Sequence, residues 1–186
     1  NKLKIEKKSL LKLIRFLSPS LAKEIFSFWL DYEKRISREG KFVRQIDRIE
    51  VLLQSIEYFG ISTKRGGESW WEGTEEIVDD PLLLKFLHTI EEHFYGKKFR
   101  WTGKKEKNNL KNILEFLLKA NKLKKIAREG WIIRKIKNPE TIAGHIFILS
   151  LMALVFAKEK KMNVNMGKVF KMILCHELPA LCLGDK

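Results

Sequence analysis

Two histidines with neighbouring acids, and one acid far upstream, are the residues of this chain best suited to chemistry. His145 follows Gly130-Trp131-Ile132-Ile133-Arg134 and Asn138-Pro139-Glu140-Thr141-Ile142-Ala143-Gly144. Further on stand Cys175-His176-Glu177-Leu178-Pro179 and then Gly184-Asp185. Asp47 lies in Phe42-Val43-Arg44-Gln45-Ile46-Asp47-Arg48-Ile49-Glu50, on an apolar-periodic stretch. If these segments converge, imidazole nitrogens and carboxylate oxygens form a mixed site for a divalent ion. Each residue also has a plainer reading. A histidine inside an apolar helix is commonly a hydrogen-bonded core residue, His176-Glu177 is a common dipeptide, and Asp47 is spaced to pair with Arg44 or Arg48.

The elements that would carry these residues read as helical throughout, with no alternating β-branched run bounded by turn residues. Apolar spacing predicts a helix over 3–17. Ser18-Pro19 offers a cap and a first-turn proline for a second helix, ending near Arg38 and stopped by Gly40. A third, over 41–58, has Phe42, Ile46, Ile49, Leu53 and Ile56 as its expected core stripe. After a loop over 60–67 and Trp70-Trp71, a helix is expected over 75–95, bent near Pro81. Residues 97–109 are basic, glycine-bearing and aperiodic, and read as a linker. Helices are then expected over 110–119 and 122–128. Asn138-Pro139-Glu140 is expected to open a buried core helix reaching Lys161, and Asn163 or Asn165 to cap the last helix, which carries Cys175, His176 and Glu177 until Pro179.

Composition bounds the rest. A chain of 186 residues with 45% hydrophobic content can bury a core. The 37 Lys+Arg against 23 Asp+Glu give a formal charge of +14, which favours phosphate-bearing or polyanionic partners. The lysines are spread along the chain without a nucleic-acid motif, so a solvated surface explains them equally. Cys175 and Cys182 make no disulfide framework, which points to a reducing, cytoplasmic setting. Their spacing with His176 matches no standard zinc signature. The apolar run over 142–157 falls short of a membrane span, so no membrane partner is expected. His88 and His93, five apart, do not share a helix face, and Trp70, Trp71 and Trp101 read as packing residues.

Trp131, Arg134, Pro139-Glu140 and His145, followed by His176-Glu177-Leu178-Pro179 and Gly184-Asp185, resemble the first half of the HD-domain metal-dependent phosphohydrolases. The similarity is greatest to the 5'-deoxynucleotidase branch. Residues from about 10 to 96, with Trp29-x-x-Tyr32-Glu33 and the Asp47 helix, resemble that branch's second half. The resemblance implies one all-α HD-like domain whose halves stand in exchanged order, 1–96 and 110–186, joined through 97–109. Circular permutation and a slice of tandem repeats both account for that order.

The resemblance also implies roles. His145, His176, Glu177 and Asp47 would hold a divalent ion (Mn, Co, Fe, Zn or Mg), Arg134 would contact phosphate, and Asp185 would lie near the nucleophilic water. The expected activity is a phosphomonoesterase acting on nucleoside or deoxynucleoside 5'-monophosphates, with a homodimer as the family's common assembly. Three positions depart from the pattern: Glu177 replaces the metal-binding aspartate, Ala180 an acid that aids proton transfer, and Gly144 the acid before the first histidine. These departures, with the +14 charge, support a second reading: a degenerate HD fold kept as a module that binds nucleic acid or a protein complex.

Overall fold

The computed structural model describes residues 2–59, 67–101 and 103–183. Among these, every regular element is a helix, and the only bridge is an isolated antiparallel pair, Ala127 with Thr141. The all-α expectation is met. The chain divides into two compact units. The first comprises residues up to 16 together with 22–114; the second comprises 17–21 and residues from 115 onward.

The first unit holds α1 (Lys2–Ile14) and, from residue 22 onward, α2 (Pro19–Lys34), whose start is signalled by Ser18, its Oγ accepting the Leu21 N–H at 3.4 Å. α2 stops at Lys34, and Arg35 takes a left-handed conformation with φ 54°. Gly40 was expected to be the helix stop. It stands instead in the first turn of α3 (Arg38–Phe59), where it allows close approach of Asp31. A Cβ there would lie 2.8 Å from the Asp31 carbonyl oxygen. Asp31 in turn accepts the Ser37 N–H at 2.8 Å.

The buried face of α3 is also rotated from the expected stripe. Gln45, Ile49, Leu52 and Ile56 are buried, whereas Phe42 and Ile46 are 55% and 40% exposed. The reason is a buried polar anchor: Gln45 Oε1 accepts the backbone N–H groups of Asp79 and Asp80 at 2.9 and 3.0 Å. That satisfied amide outweighs a purely apolar register.

The helix expected over 75–95 is two helices, α4 (Gly67–Glu75) and α5 (Pro81–Tyr95). Asp80 caps α5 by accepting from Leu82 and Leu83, with Pro81 following, and Gly96 (φ 67°) closes it. Leu83, Phe86, Leu87 and Ile90 form its buried face at helical spacing. The expected linker is half helix: α6 (Lys104–Ala120) begins within it. Charge pairing onto α5 explains why. Lys85 meets Glu106 at 2.6 Å, Lys107 meets Glu92 at 2.7 Å, and Lys97 pairs with Glu91.

The second unit takes the end of α6, a 3-10 turn (Asn121–Lys124), α7 (Glu129–Ile133), α8 (Ile142–Glu159), α9 (Met166–Cys175) and α10 (Ala180–Leu183). The expected helix over 122–128 is replaced by the 3-10 turn and the bridge. Leu123, Ile142 and Ala180 form the core, packed by Ile126, Ala143, Ile146, Leu178 and Leu181. Ser18, which belongs to this unit, donates its N–H to Glu159 Oε1 at 2.9 Å. α8 is not the buried core helix that its composition suggested. Only Ile142 and Ala157 are buried, and Phe147, Ile148, Leu151, Met152 and Phe156 are exposed. Among the described residues it is long and apolar enough to cross a membrane by length and composition. Its cap is Thr141, not Asn138: Thr141 Oγ1 accepts the Gly144 N–H at 3.1 Å. Asn165 caps α9 as expected, accepting from Lys168 at 2.9 Å.

Candidate metal centre

The second unit brings three of the expected ligands together. His145 stands in the first turn of α8, fixed by the Thr141 cap and by its N–H donating to the Thr141 carbonyl at 3.0 Å. A short antiparallel pairing holds that helix start: Arg128 N–H donates to the Glu140 carbonyl and Ile142 N–H to the Ile126 carbonyl, both at 2.9 Å. His176 caps the C-terminus of α9, and Glu177 follows directly. A helix C-terminus carries partial negative charge and favours a cation nearby.

The donor atoms of His145, His176 and Glu177 all lie within 4.8 Å of one another. Glu177 Oε1 is 3.3 Å from His176 Nε2 and 3.8 Å from His145 Nε2. Donors bonded to one ion at about 2.1 Å sit about 3.0–3.4 Å apart at octahedral or tetrahedral angles, so the trio fits a divalent ion after small side-chain movements. The extra methylene of Glu177 does not carry its carboxylate out of reach. His176 is in the ligand-ready tautomer. Its Nδ1 lies 2.7 Å from the Ile173 carbonyl, to which only an N–H can donate, and in the neutral ring the Nε2 lone pair then faces the carboxylate.

Arg128, which sequence reasoning missed, sits beside this trio. Its Nη1 is 3.0 Å from His145 Nδ1 and 3.7 Å from Glu140 Oε2. It also lines a hollow of about 410 Å³ with Gly130, Trp131 and Arg134. Arg134, at the end of α7, donates to the Gly130 carbonyl at 2.9 Å and is exposed. Two guanidinium groups bordering one hollow suit the oxygens of a phosphate. The sequence offered one signal for Arg128, a cation just ahead of Gly130-Trp131. Its position at His145 depends on the backbone pairing of 126–128 with 140–142, which no local pattern announces.

The other expected residues are placed as follows. Asp47 belongs to the first unit, on α3, where its carboxylate accepts from Tyr32 Oη at 2.9 Å and lies 3.8 Å from Arg44 Nη1. Burial, then the hydrogen bond to Asp47, raises the Tyr32 phenol above its ordinary pKa. Asp185 lies outside the described residues. Ala180 is buried at 4% exposure in the core of the second unit and supplies no acid. At Gly144, a Cβ would meet Thr141 Oγ1 at 3.3 Å. Cys175 and Cys182 are free and exposed. His88 stacks on Phe99 with ring centroids 4.3 Å apart, and Trp71 donates to Tyr95 Oη at 3.3 Å, so both are packing residues.

Comparison with known proteins agrees with this geometry. A family model described as HD domain matches residues 1–77 and 120–186. The chain is 35% identical over 74 residues to the 5'-deoxynucleotidase HDDC2 of Danio rerio, covering 40% of this chain and 36% of that protein. It is 31% identical over 87 residues to the Bos taurus protein of the same name, covering 46% and 42%. It is 46% identical over 90 residues to the 5'-deoxynucleotidase YGK1 of Saccharomyces cerevisiae, covering 48% and 35%. Each match thus spans less than half of the relative's length. No solved structure matches.

Proposed function

The chain belongs to the HD-domain family, and on that premise we propose that it is a metal-dependent phosphohydrolase acting as a phosphomonoesterase on nucleoside or deoxynucleoside 5'-monophosphates. The convergence of His145, His176 and Glu177 donor atoms carries this reading. These three residues would hold a divalent ion of the Mn, Co, Fe, Zn or Mg group, and the family resemblance adds Asp47 to the ligand set. Such an ion, when bound, lowers the pKa of a coordinated water and polarises a phosphoryl oxygen. The chain's own groups do the rest. Arg134 and Arg128 bind and orient the phosphate from the hollow they border. Asp185 orients the attacking water. The names of the relatives supply the substrate class.

In this reading, residues 1–96 and 110–186 are the two halves of one HD-like domain in exchanged order, and the protein works in the cytoplasm, as a homodimer where the family assembly is kept. The experiment is calorimetric titration of metal-stripped protein with Mn²⁺ and Co²⁺, followed by phosphate release from deoxynucleoside 5'-monophosphates. About one site per chain, with both metal binding and activity lost in His176→Ala and activity lost in Asp47→Ala, is the expected result. Activity that survives either substitution overturns the ligand assignment.

The buried Ala180 favours a second reading. Without an acid for proton transfer, a step typically worth about 10²–10⁴ in rate, the fold serves as a binding module for nucleic acid or a protein complex. Absence of metal binding up to millimolar concentrations, with salt-sensitive binding to a polyanion, would favour it.

A further inference from the structure

The two histidines of the trio are held in opposite tautomers. His176 Nδ1 faces a carbonyl oxygen, which can only accept, so in the neutral ring the proton sits on Nδ1 and Nε2 is free of one. His145 Nδ1 faces Arg128 Nη1 at 3.0 Å, and a guanidinium can only donate. Nδ1 of His145 therefore accepts, and in the neutral ring the proton sits on Nε2, the nitrogen that faces Glu177. Metal ligation through Nε2 requires the reverse, with Nδ1–H donating to an acceptor. No acceptor can stand there while Arg128 does.

The geometry points to Arg128 as a positioning residue that competes with the metal by holding His145 in the tautomer that cannot ligate. This rests on the metal reading given above and adds a regulatory step to it. A second seat for Arg128 is already present. Its backbone is anchored by the N–H donated to the Glu140 carbonyl, and the Glu140 carboxylate lies 3.7 Å from Nη1. With an ion on His145 Nε2, the ring proton would sit on Nδ1 and the guanidinium would rest on Glu140 instead of His145. One proton is relocated through solvent and none is consumed. Glu140 thus favours the loaded state, and His145 in its present tautomer favours the empty one.

Three variants of the full chain test this. In Arg128→Gln the amide oxygen can accept from Nδ1–H, so the ligating tautomer is stabilised. Arg128→Lys keeps a group that only donates. Glu140→Gln weakens the second seat. Long-range proton–nitrogen NMR correlation of the metal-free protein reads the tautomer of His145 directly, and calorimetry with Mn²⁺ reads affinity. The expected result is Nε2–H in wild type and Arg128→Lys, and Nδ1–H in Arg128→Gln. Arg128→Gln should bind Mn²⁺ about ten-fold tighter, within the range known for groups behind metal ligands, with Arg128→Lys near wild type and Glu140→Gln weaker. His145 already Nδ1–H in wild type, or equal affinity in all variants, overturns the role of Arg128 while leaving the metal site intact. Failure of every variant to bind metal overturns the metal reading, and the competition with it.

Discussion

Restoring the family's aspartate at position 177 is expected to weaken the metal site. Glu177 Oε1 stands 3.3 Å from His176 Nε2 and 3.8 Å from His145 Nε2. With bonds of about 2.1 Å, two donors to one ion cannot be separated by more than about 4.2 Å. Removing one methylene, with C–C bonds of about 1.5 Å, draws the carboxylate back by roughly an ångström or more. The separation from His145 then approaches about 4.8 Å, beyond what one ion spans at those bond lengths. His176 is held by the Ile173 carbonyl and the backbone of His145 by the Thr141 carbonyl, which limits how far the rings can follow the retreat. Loss or misplacement of one carboxylate should lower Mn²⁺ affinity at least ten-fold, about 1.4 kcal/mol. Glu177→Gln, which keeps the length and removes the charge, should be weaker still. Calorimetry on metal-stripped protein measures both. Glu177→Asp binding as tightly as wild type, or tighter, would refute the distance argument and imply that the backbone after α9 adjusts freely.

Three further outcomes concern stability. Asn165→Ala removes the cap of α9 and should cost about 1 kcal/mol in urea unfolding, weakening metal binding with it because His176 ends that helix. In Gly40→Ala the new Cβ meets Asp31 Oδ1 at 2.5 Å and its carbonyl oxygen at 2.8 Å; overpacking of about 1–3 kcal/mol should outweigh the helix-propensity gain of about 1 kcal/mol, and a higher urea midpoint would contradict this. Glu92 is held below the ordinary carboxylate range first by its hydrogen bond to Lys107. A depressed folded-state pKa gives stability that is present above about pH 4.5 and is lost as pH falls from there through the folded-state value, so acid unfolding of wild type should be steeper over that window than that of Glu92→Gln; identical pH curves would remove Glu92 as a contributor.

The helical class was legible from local pattern, and the grouping of His145, His176 and Glu177 from the family resemblance. Pro19 and Asn165 signal helix starts, whereas Asp80-Pro81 read as a bend in one helix, and His176-Glu177 is a contiguous pair whose partner His145 sits one cap beyond Thr141. What escaped the sequence depends on pairing at a distance. Gln45 was polar and therefore unexpected in a core, yet its amide fixes the buried register of α3 by binding the turn before α5. Residues 97–107 read as linker because their partners on α5, Glu91, Glu92 and Lys85, are only brought near by folding. α8 read as buried because composition reports how apolar a helix is, not whether its own unit covers it. Arg128 escaped for the same reason as Gln45: a bridge between 127 and 141 puts it on His145.

Ala180 gives the site a direction in evolutionary time. It is packed with Leu123 and Ile142 in a small core, at 4% exposure. A glutamate reintroduced there would have to leave its charge among aliphatic side chains, at a cost of several kcal/mol, or lever α10 outward. The core encloses the position, so a substitution there alone does not give the site an acid. A lineage that regained proton transfer would have to recruit it from an open position, and the exposed residues of α7 bordering the arginine hollow are the nearest ground for that.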